Sequence, residues 1–221
     1  MKISIVTYLM EETGNKYCRR QELIHGLIHG VGVVFGVSGL PVLIGIATSH
    51  NNIPAIVGAG IYGFCFLLLF TCSMVYHLTN EPAVKRLFEI FDHISIYFMI
   101  AGTYTPFLLI YMNNDFGFTL LITLWGLTLL GLIFKIWFTG KFNTVSTIIY
   151  LIMGWMMVIG GKKFFIVLPD SVIIMLFIGA GLYSIGTAVY TFGKRYYSHA
   201  LWHTLVLVAA IFHYVGVLLS M

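Results

Sequence analysis

Long runs of apolar side chains alternate with short polar segments along this chain. A hydrocarbon core about 30 Å thick needs about 20 apolar helical residues to cross it, because backbone polar groups cannot stay unpaired in lipid. Seven runs have about this length, and each predicts a membrane-spanning helix; they lie near residues 27–47, 53–76, 90–112, 116–138, 142–161, 171–192 and 200–221. The pattern therefore predicts an all-α fold, a seven-transmembrane helix bundle.

The composition agrees with a membrane protein. Of the 221 residues, 59% are hydrophobic and 9% are charged, whereas soluble domains carry about 25% charged residues. The net charge is +4, but no basic run exceeds two adjacent residues, so we expect no nucleic-acid partner. The three cysteines are odd in number and imply no disulfide framework. A bilayer is the solvent that this chain fits.

Basic residues predict the orientation, since short cytoplasmic loops retain Lys and Arg. With a cytoplasmic N-terminus, ten of the 12 Lys and Arg residues fall inside, and only Lys162 and Lys163 fall outside. We therefore predict a cytoplasmic N-terminus, an external C-terminus and a multi-pass location in the cell membrane. Residues 1–22 are expected to form a cytoplasmic lead-in, and residues 23–221 a single membrane domain.

Ionisable residues in membrane spans are costly and mark candidate functional sites. His77 ends the second predicted span at its cytoplasmic edge, Asp92 begins the third, and the seventh begins with His199 and His203. The last two are four residues apart, so one helical turn places both imidazoles on one face. Ser73 stands in the same relation to His77. These side chains are expected to meet at one level of the bilayer, near the cytoplasmic face.

Imidazole nitrogens suit zinc, and a site with three histidines leaves the fourth tetrahedral position open for water. The predicted metal ligands are His77, His199 and His203. Zinc lowers the pKa of a bound water to about 7. Asp92 is the candidate to hold that water or accept its proton, and Ser73 to hydrogen-bond the water or a substrate oxygen. The structural alternative is that these residues only form hydrogen bonds between helices.

Other histidines compete for these roles. His25 and His29 repeat the four-residue spacing, but they lie among glycines, which favours a role in helix packing; they remain the rival ligand pair. His93 is turned about 100° from Asp92 on a helix, so it is expected to point away from the same cavity. His213 lies about 15 Å deeper than the proposed ligands and is expected to be a hydrogen-bonded interior group.

Five short motifs carry a resemblance to a known family. They are ELIHGLIHGVG at residues 22–32, Ser73-x-x-x-His77, FDHISIYFMIAGTYTP at 91–106, SHALWH at 198–203 and AAIFHY at 209–214. With these motifs the chain resembles the hemolysin III branch of the progestin and adipoQ receptor family, which are seven-span membrane proteins. The resemblance runs from residue 22 to the C-terminus. It implies a zinc ion held by His77, His199 and His203, with Asp92 and Ser73 close by.

The same resemblance extends to a wider superfamily that includes alkaline ceramidases, which hydrolyse lipid amides. It implies a membrane hydrolase that uses Zn²⁺ to cleave a lipid amide or ester bond, with a membrane lipid or fatty acid as its partner. Two alternatives stay open. One is a lipid-sensing receptor in which zinc is structural, and the other is a channel or pore-forming hemolysin.

Overall fold

A computed structural model describes residues 18–139 and 141–221. All regular structure in this part of the chain is helical, in the order α1 (Arg19–Ser49), α2 (Ile53–Leu78), α3 (Pro82–Tyr111), α4 (Asp115–Phe138), α5 (Asn143–Gly154), α6 (Met156–Phe165), α7 (Asp170–Phe192) and α8 (Ser198–Leu219). Seven segments are long and apolar enough to cross a membrane, with α5 and α6 together forming the fifth. The predicted seven-helix bundle is confirmed.

Two predictions about the ends of the chain are not tested by the structure and remain predictions. Residues 1–17 of the predicted lead-in (residues 1–22) lie outside the described residues. The first helix, α1, begins at Arg19, whereas the first span was predicted to begin near residue 27. The cytoplasmic position of the N-terminus also stays a prediction. The early start of α1 matters for the site, because it makes Glu22 and His25 part of a regular helix.

Local sequence signals set several helix starts. The Asn52 side chain accepts a hydrogen bond from the Ala55 amide at 3.1 Å, and the Asn114 side chain accepts one from the Gly117 amide at 3.0 Å. Each bond satisfies a backbone donor that the first helical turn leaves unpaired. Pro82 occupies the first position of α3, where its missing N–H costs nothing.

Small residues bring the first three helices together. A Cβ atom built on Gly102 of α3 would lie 2.7 Å from Cβ of Cys65 on α2, and one on Gly32 of α1 would collide with the Phe70 ring. Membrane helices use such residues for close backbone approach, since van der Waals packing is a main source of their association. Of the seven spans, α3 is the most buried. Asp92 therefore enters the bundle interior on its most enclosed helix.

The fifth span is broken between α5 and α6. Trp155 departs from helical geometry with φ −97° and ψ 12°, and Gly161 has φ +53°. The Tyr104 hydroxyl on α3 donates to the Gly154 carbonyl at 2.7 Å and accepts from the Met157 amide at 3.0 Å. One buried side chain thus satisfies backbone groups on both sides of the break, which hydrocarbon alone would leave unpaired.

Candidate metal centre and cavity

Four imidazoles gather at one end of the bundle. Each offers one ring nitrogen, and these four atoms lie within 4.8 Å of one another; the residues, which we call the histidine cluster, are His25, His77, His199 and His203. The His199 and His203 ring centroids are 4.4 Å apart, and those of His77 and His203 are 4.9 Å apart. The structure therefore brings together the three histidines predicted as ligands.

His25 is the member of the histidine cluster that was assigned to helix packing from the sequence. Its ring centroid lies 4.9 Å from that of His77, 4.6 Å from that of His199 and 5.1 Å from that of His203. The four-residue spacing to His29 was the available signal. The sequence did not show which face of α1 lies against α2 and α8. The rotation of α1 about its axis brings His25 into the histidine cluster.

Hydrogen bonds from outside the cluster orient two of its rings. Glu22 Oε2 lies 2.6 Å from His77 Nδ1, and His29 Nε2 lies 2.7 Å from His203 Nδ1. Lys85 Nζ in turn donates to Glu22 Oε1 at 3.0 Å. Such partners fix the tautomer and direction of metal-binding histidines. Sequence reasoning missed Glu22 and Lys85, since they lie 63 residues apart in the chain.

Two buried nitrogens fit a metal. Within residues 18–139 and 141–221, neither His77 Nε2 nor His203 Nε2 has a hydrogen-bond partner. A neutral imidazole that donates from Nδ1 has its lone pair on Nε2, which is the form that binds a metal ion. A buried polar atom without a partner is costly, and coordination would remove that cost. The donor set therefore fits a divalent ion such as zinc.

The first turn of α1 is fixed against the loop between α7 and α8. Gln21 Nε2 donates to the Tyr196 carbonyl at 2.7 Å, and Cys18 Sγ lies 2.9 Å from the Tyr196 hydroxyl. This contact lowers the pKa of the Cys18 thiol and raises the pKa of Tyr196. These contacts hold the start of α1 close to the start of α8, which places His25 beside His199.

The two predicted catalytic residues form a pair of their own. The Ser73 hydroxyl donates to Asp92 Oδ1, and both side chains are buried. Among the described residues the group of candidate metal ligands contains histidines alone, so Asp92 stands outside it. The structure thus separates the predicted site into a histidine cluster and an adjacent Ser73–Asp92 pair.

A mostly apolar cavity of about 150 Å³ connects these groups to the bundle interior. His203, Ser73 and Asp92 line it at one end, and His213 lines it ten residues further along α8, about 15 Å away along the helix axis. His213 Nε2 lies 3.3 Å from the Leu176 carbonyl, as expected for an interior group. The cavity wall therefore extends from the polar residues near the histidine cluster to His213.

His93 departs from its sequence-based interpretation. It was expected to point away from the cavity that Asp92 faces, yet both residues line the cavity wall. His93 Nδ1 lies 2.7 Å from the Glu89 carbonyl, and the His93 carbonyl accepts a hydrogen bond from Tyr150 at 3.0 Å. A cavity that follows a wide arc of α3 reaches side chains about 100° apart on that helix.

The fold and this site define a multi-pass membrane protein with a buried histidine-rich centre that opens to an apolar cavity. Comparison with known families agrees: the family described as Haemolysin-III related matches residues 17–214, and the chain belongs to this family. The resemblance found in the motifs is therefore confirmed.

Individual relatives extend from bacteria to animals. The chain is 40% identical to the Hemolysin-3 homolog of Bacillus subtilis (strain 168) over 188 residues, which cover 85% of this chain and 88% of that protein. It is 38% identical to Hemolysin-3 of Bacillus cereus over 188 residues, covering 85% and 86%. It is 26% identical to the Monocyte to macrophage differentiation factor of Homo sapiens over 196 residues, covering 80% and 77%.

Proposed function

We propose that this protein is a zinc-dependent intramembrane hydrolase that cleaves an amide or ester bond of a lipid. The observation that carries the proposal is the shared cavity wall: His203 of the histidine cluster and the Ser73–Asp92 pair face the same mostly apolar space. Ligand sites are commonly apolar cavities with a few convergent polar groups. An acyl chain fits this lining, and the bond to be cleaved would lie at the polar end.

Zinc suits the donor set because imidazole nitrogens are borderline-soft ligands that it binds well. His77 and His203 would bind through their Nε2 atoms, which have no hydrogen-bond partner in the described part of the chain. His199 would supply the third ligand atom, and His25 offers a fourth nitrogen within reach. Bound zinc would act as a Lewis acid that polarises a carbonyl oxygen and makes water more acidic.

The protein's own groups would divide the remaining work. Asp92 would accept a proton from the attacking water, since it is the carboxylate that faces the cavity beside His203. Ser73 would fix the direction of that carboxylate through its hydrogen bond to Oδ1. Apolar side chains such as Met99 and Val206 would hold the acyl chain and exclude bulk water.

A receptor with structural zinc is the second candidate, and His25 is the observation that favours it. Four histidine ligands would fill a tetrahedral zinc site, and closed sites of this kind are usually structural. Three histidines would leave a position for substrate or water. The two functions therefore differ in whether His25 binds the metal.

Lipid hydrolysis by the purified protein tests the proposal. We expect the zinc-loaded protein to release fatty acid from ceramides or other acyl lipids in micelles. Asp92→Asn should retain zinc and lose at least a hundredfold in rate, as loss of an acid–base group typically does. His203→Ala should lose both zinc and activity. The exposed His50 provides a control, because His50→Gln should retain both.

The receptor predicts a different pattern. In that case the wild-type protein binds zinc and lipid but releases no fatty acid across a broad panel, and the enzyme proposal is rejected. His25→Asn then lowers zinc affinity as strongly as His77→Asn does. For the hydrolase, His25→Asn affects zinc affinity less than His77→Asn. Competition against a zinc chelator measures these affinities, and mass spectrometry of the metal measures the zinc content of the purified protein.

A further inference from the structure

Lys135 is a buried cation that the proposed chemistry does not use. It lies in the last turn of α4, is 0% exposed and lines the cavity. Its Nζ atom has no hydrogen-bond partner within the described ranges. An unpaired ammonium group inside a membrane domain is costly, and such a residue marks a functional site with a partner to be identified.

The nearby acidic residues are engaged elsewhere. Glu89 Oε2 accepts from Arg86 Nη1 at 2.6 Å, and Asp92 accepts from Ser73. Among the residues that the structure describes, no carboxylate lies within ion-pair distance of Lys135. The positive charge of Lys135 therefore faces the cavity without a protein anion bound to it.

The start of α5 adds a second feature at the same cavity. This helix begins at Asn143, and its N-cap residue, Phe142, makes no capping hydrogen bond through its side chain. The first amide groups of a helix lack intrahelical partners and carry the positive end of the helix dipole, so a helix start attracts anions. Asn143 Oδ1 also lacks a partner in the described chain, and Asn143, Ser146 and Thr147 line the cavity.

Hydrogen bonds between helices place Lys135 and the start of α5 near the polar end of the cavity. Arg86 Nη2 on α3 donates to the Thr139 carbonyl at 3.1 Å, which holds the end of α4 against the start of α3. Tyr150 on α5 donates to the His93 carbonyl at 3.0 Å, one residue from Asp92. The lysine and the start of α5 therefore lie at the same end of α3 as the Ser73–Asp92 pair.

We propose that Lys135, Asn143 and the first turn of α5 form an anion pocket that binds the carboxylate or phosphate head group of a lipid whose chain occupies the cavity. The cation binds the oxyanion, and the Asn143 amide can turn its Nδ2 group toward it as a donor. The inference rests on the proposed function only in taking the ligand to be a lipid. It requires neither bound metal nor hydrolysis.

Binding of brominated lipids to the full chain in neutral maltoside micelles tests the anion pocket. Bromine quenches tryptophan fluorescence at short range, and Trp155 and Trp202 line the cavity. The probes are dibromostearic acid, its phosphate monoester and the uncharged dibromostearyl alcohol. We expect Lys135→Met to weaken binding of both anionic probes by about tenfold to a hundredfold and to leave the alcohol unchanged. The exposed Lys163 gives the matched control, Lys163→Met.

A second variant keeps the test sharp if Lys135→Met does not fold. Asn143→Asp adds a negative charge to the pocket, while an acidic residue at a helix start is compatible with helix stability. It should also weaken anionic probes selectively. Unchanged binding of dibromostearyl alcohol shows that either variant retains a folded cavity.

Inorganic phosphate distinguishes the two sources of the anion. If millimolar phosphate displaces the anionic probes but not the alcohol, the pocket also takes free phosphate; if it does not, the lipid head group is the ligand. Equal wild-type affinity for alcohol and acid, or unchanged acid binding in both variants, overturns the inference. Since binding is measured without turnover, failure of the hydrolase proposal leaves this test valid.

Discussion

Removing the Glu22 carboxylate tests whether the histidine cluster is a metal centre. Glu22 makes two contacts there: Oε2 lies 2.6 Å from His77 Nδ1, and Oε1 accepts from Lys85 at 3.0 Å. If His77 binds zinc through Nε2, Glu22 holds the imidazole in the required tautomer. The variant Glu22→Ala leaves the ring unoriented, although the metal ligands themselves are intact.

The size of the effect follows from the lost contact. Loss of the hydrogen-bond partner of a metal-binding histidine typically lowers metal affinity by 10- to 100-fold, which corresponds to about 1.4–2.7 kcal/mol. Glu22→Ala should reach the upper part of this range, since it removes a charge-assisted hydrogen bond. Glu22→Gln should fall near tenfold, because an amide oxygen still accepts from His77 Nδ1. The side-chain NH₂ group introduced by Glu22→Gln would then face the Lys85 ammonium. Adding Lys85→Met to Glu22→Gln should therefore restore part of the zinc affinity.

Competition against a fluorescent zinc chelator measures these affinities. Glu89→Gln is a suitable control, because Glu89 belongs to an ion pair with Arg86 on the more exposed side of the same end of the bundle. It should leave zinc affinity within twofold of wild type, as expected for a surface pair. If Glu22→Ala binds zinc as tightly as wild type, the proposed orienting role is wrong, and His77 does not depend on this partner.

Two further predictions concern stability. Zinc removal by a strong chelator should lower the melting temperature seen by scanning fluorimetry, because a ligand at 100 times its Kd stabilises the folded state by about 2.7 kcal/mol; an unchanged melting temperature would contradict metal binding. Tyr104→Phe should destabilise the protein by about 1–3 kcal/mol, since it leaves buried backbone groups at the break of the fifth span unpaired. Tyr183→Phe is the control, because the Tyr183 hydroxyl has no hydrogen-bond partner in the described residues. Equal losses for both variants in chemical denaturation would refute the bridging role of Tyr104.

The positions of the spans and the common level of three histidines could be read from the chain itself. Span length is a one-dimensional property, because the thickness of the bilayer fixes how many apolar residues a helix needs. Successive helices also alternate in direction, so residues that end the second span and residues that begin the seventh share a side of the membrane. This places His77, His199 and His203 at one end without knowledge of their packing.

Rotation of each helix about its axis was decided only by the tertiary structure. Neighbouring residues on a helix differ by about 100°, so spacing gives their directions relative to one another but not toward the bundle. Packing of α1 against α2 and α8 directs the His25 side chain into the histidine cluster and the Glu22 side chain toward His77. The same kind of packing places Lys135 at the cavity wall, whereas the sequence counted it only among the ten basic residues on the cytoplasmic side.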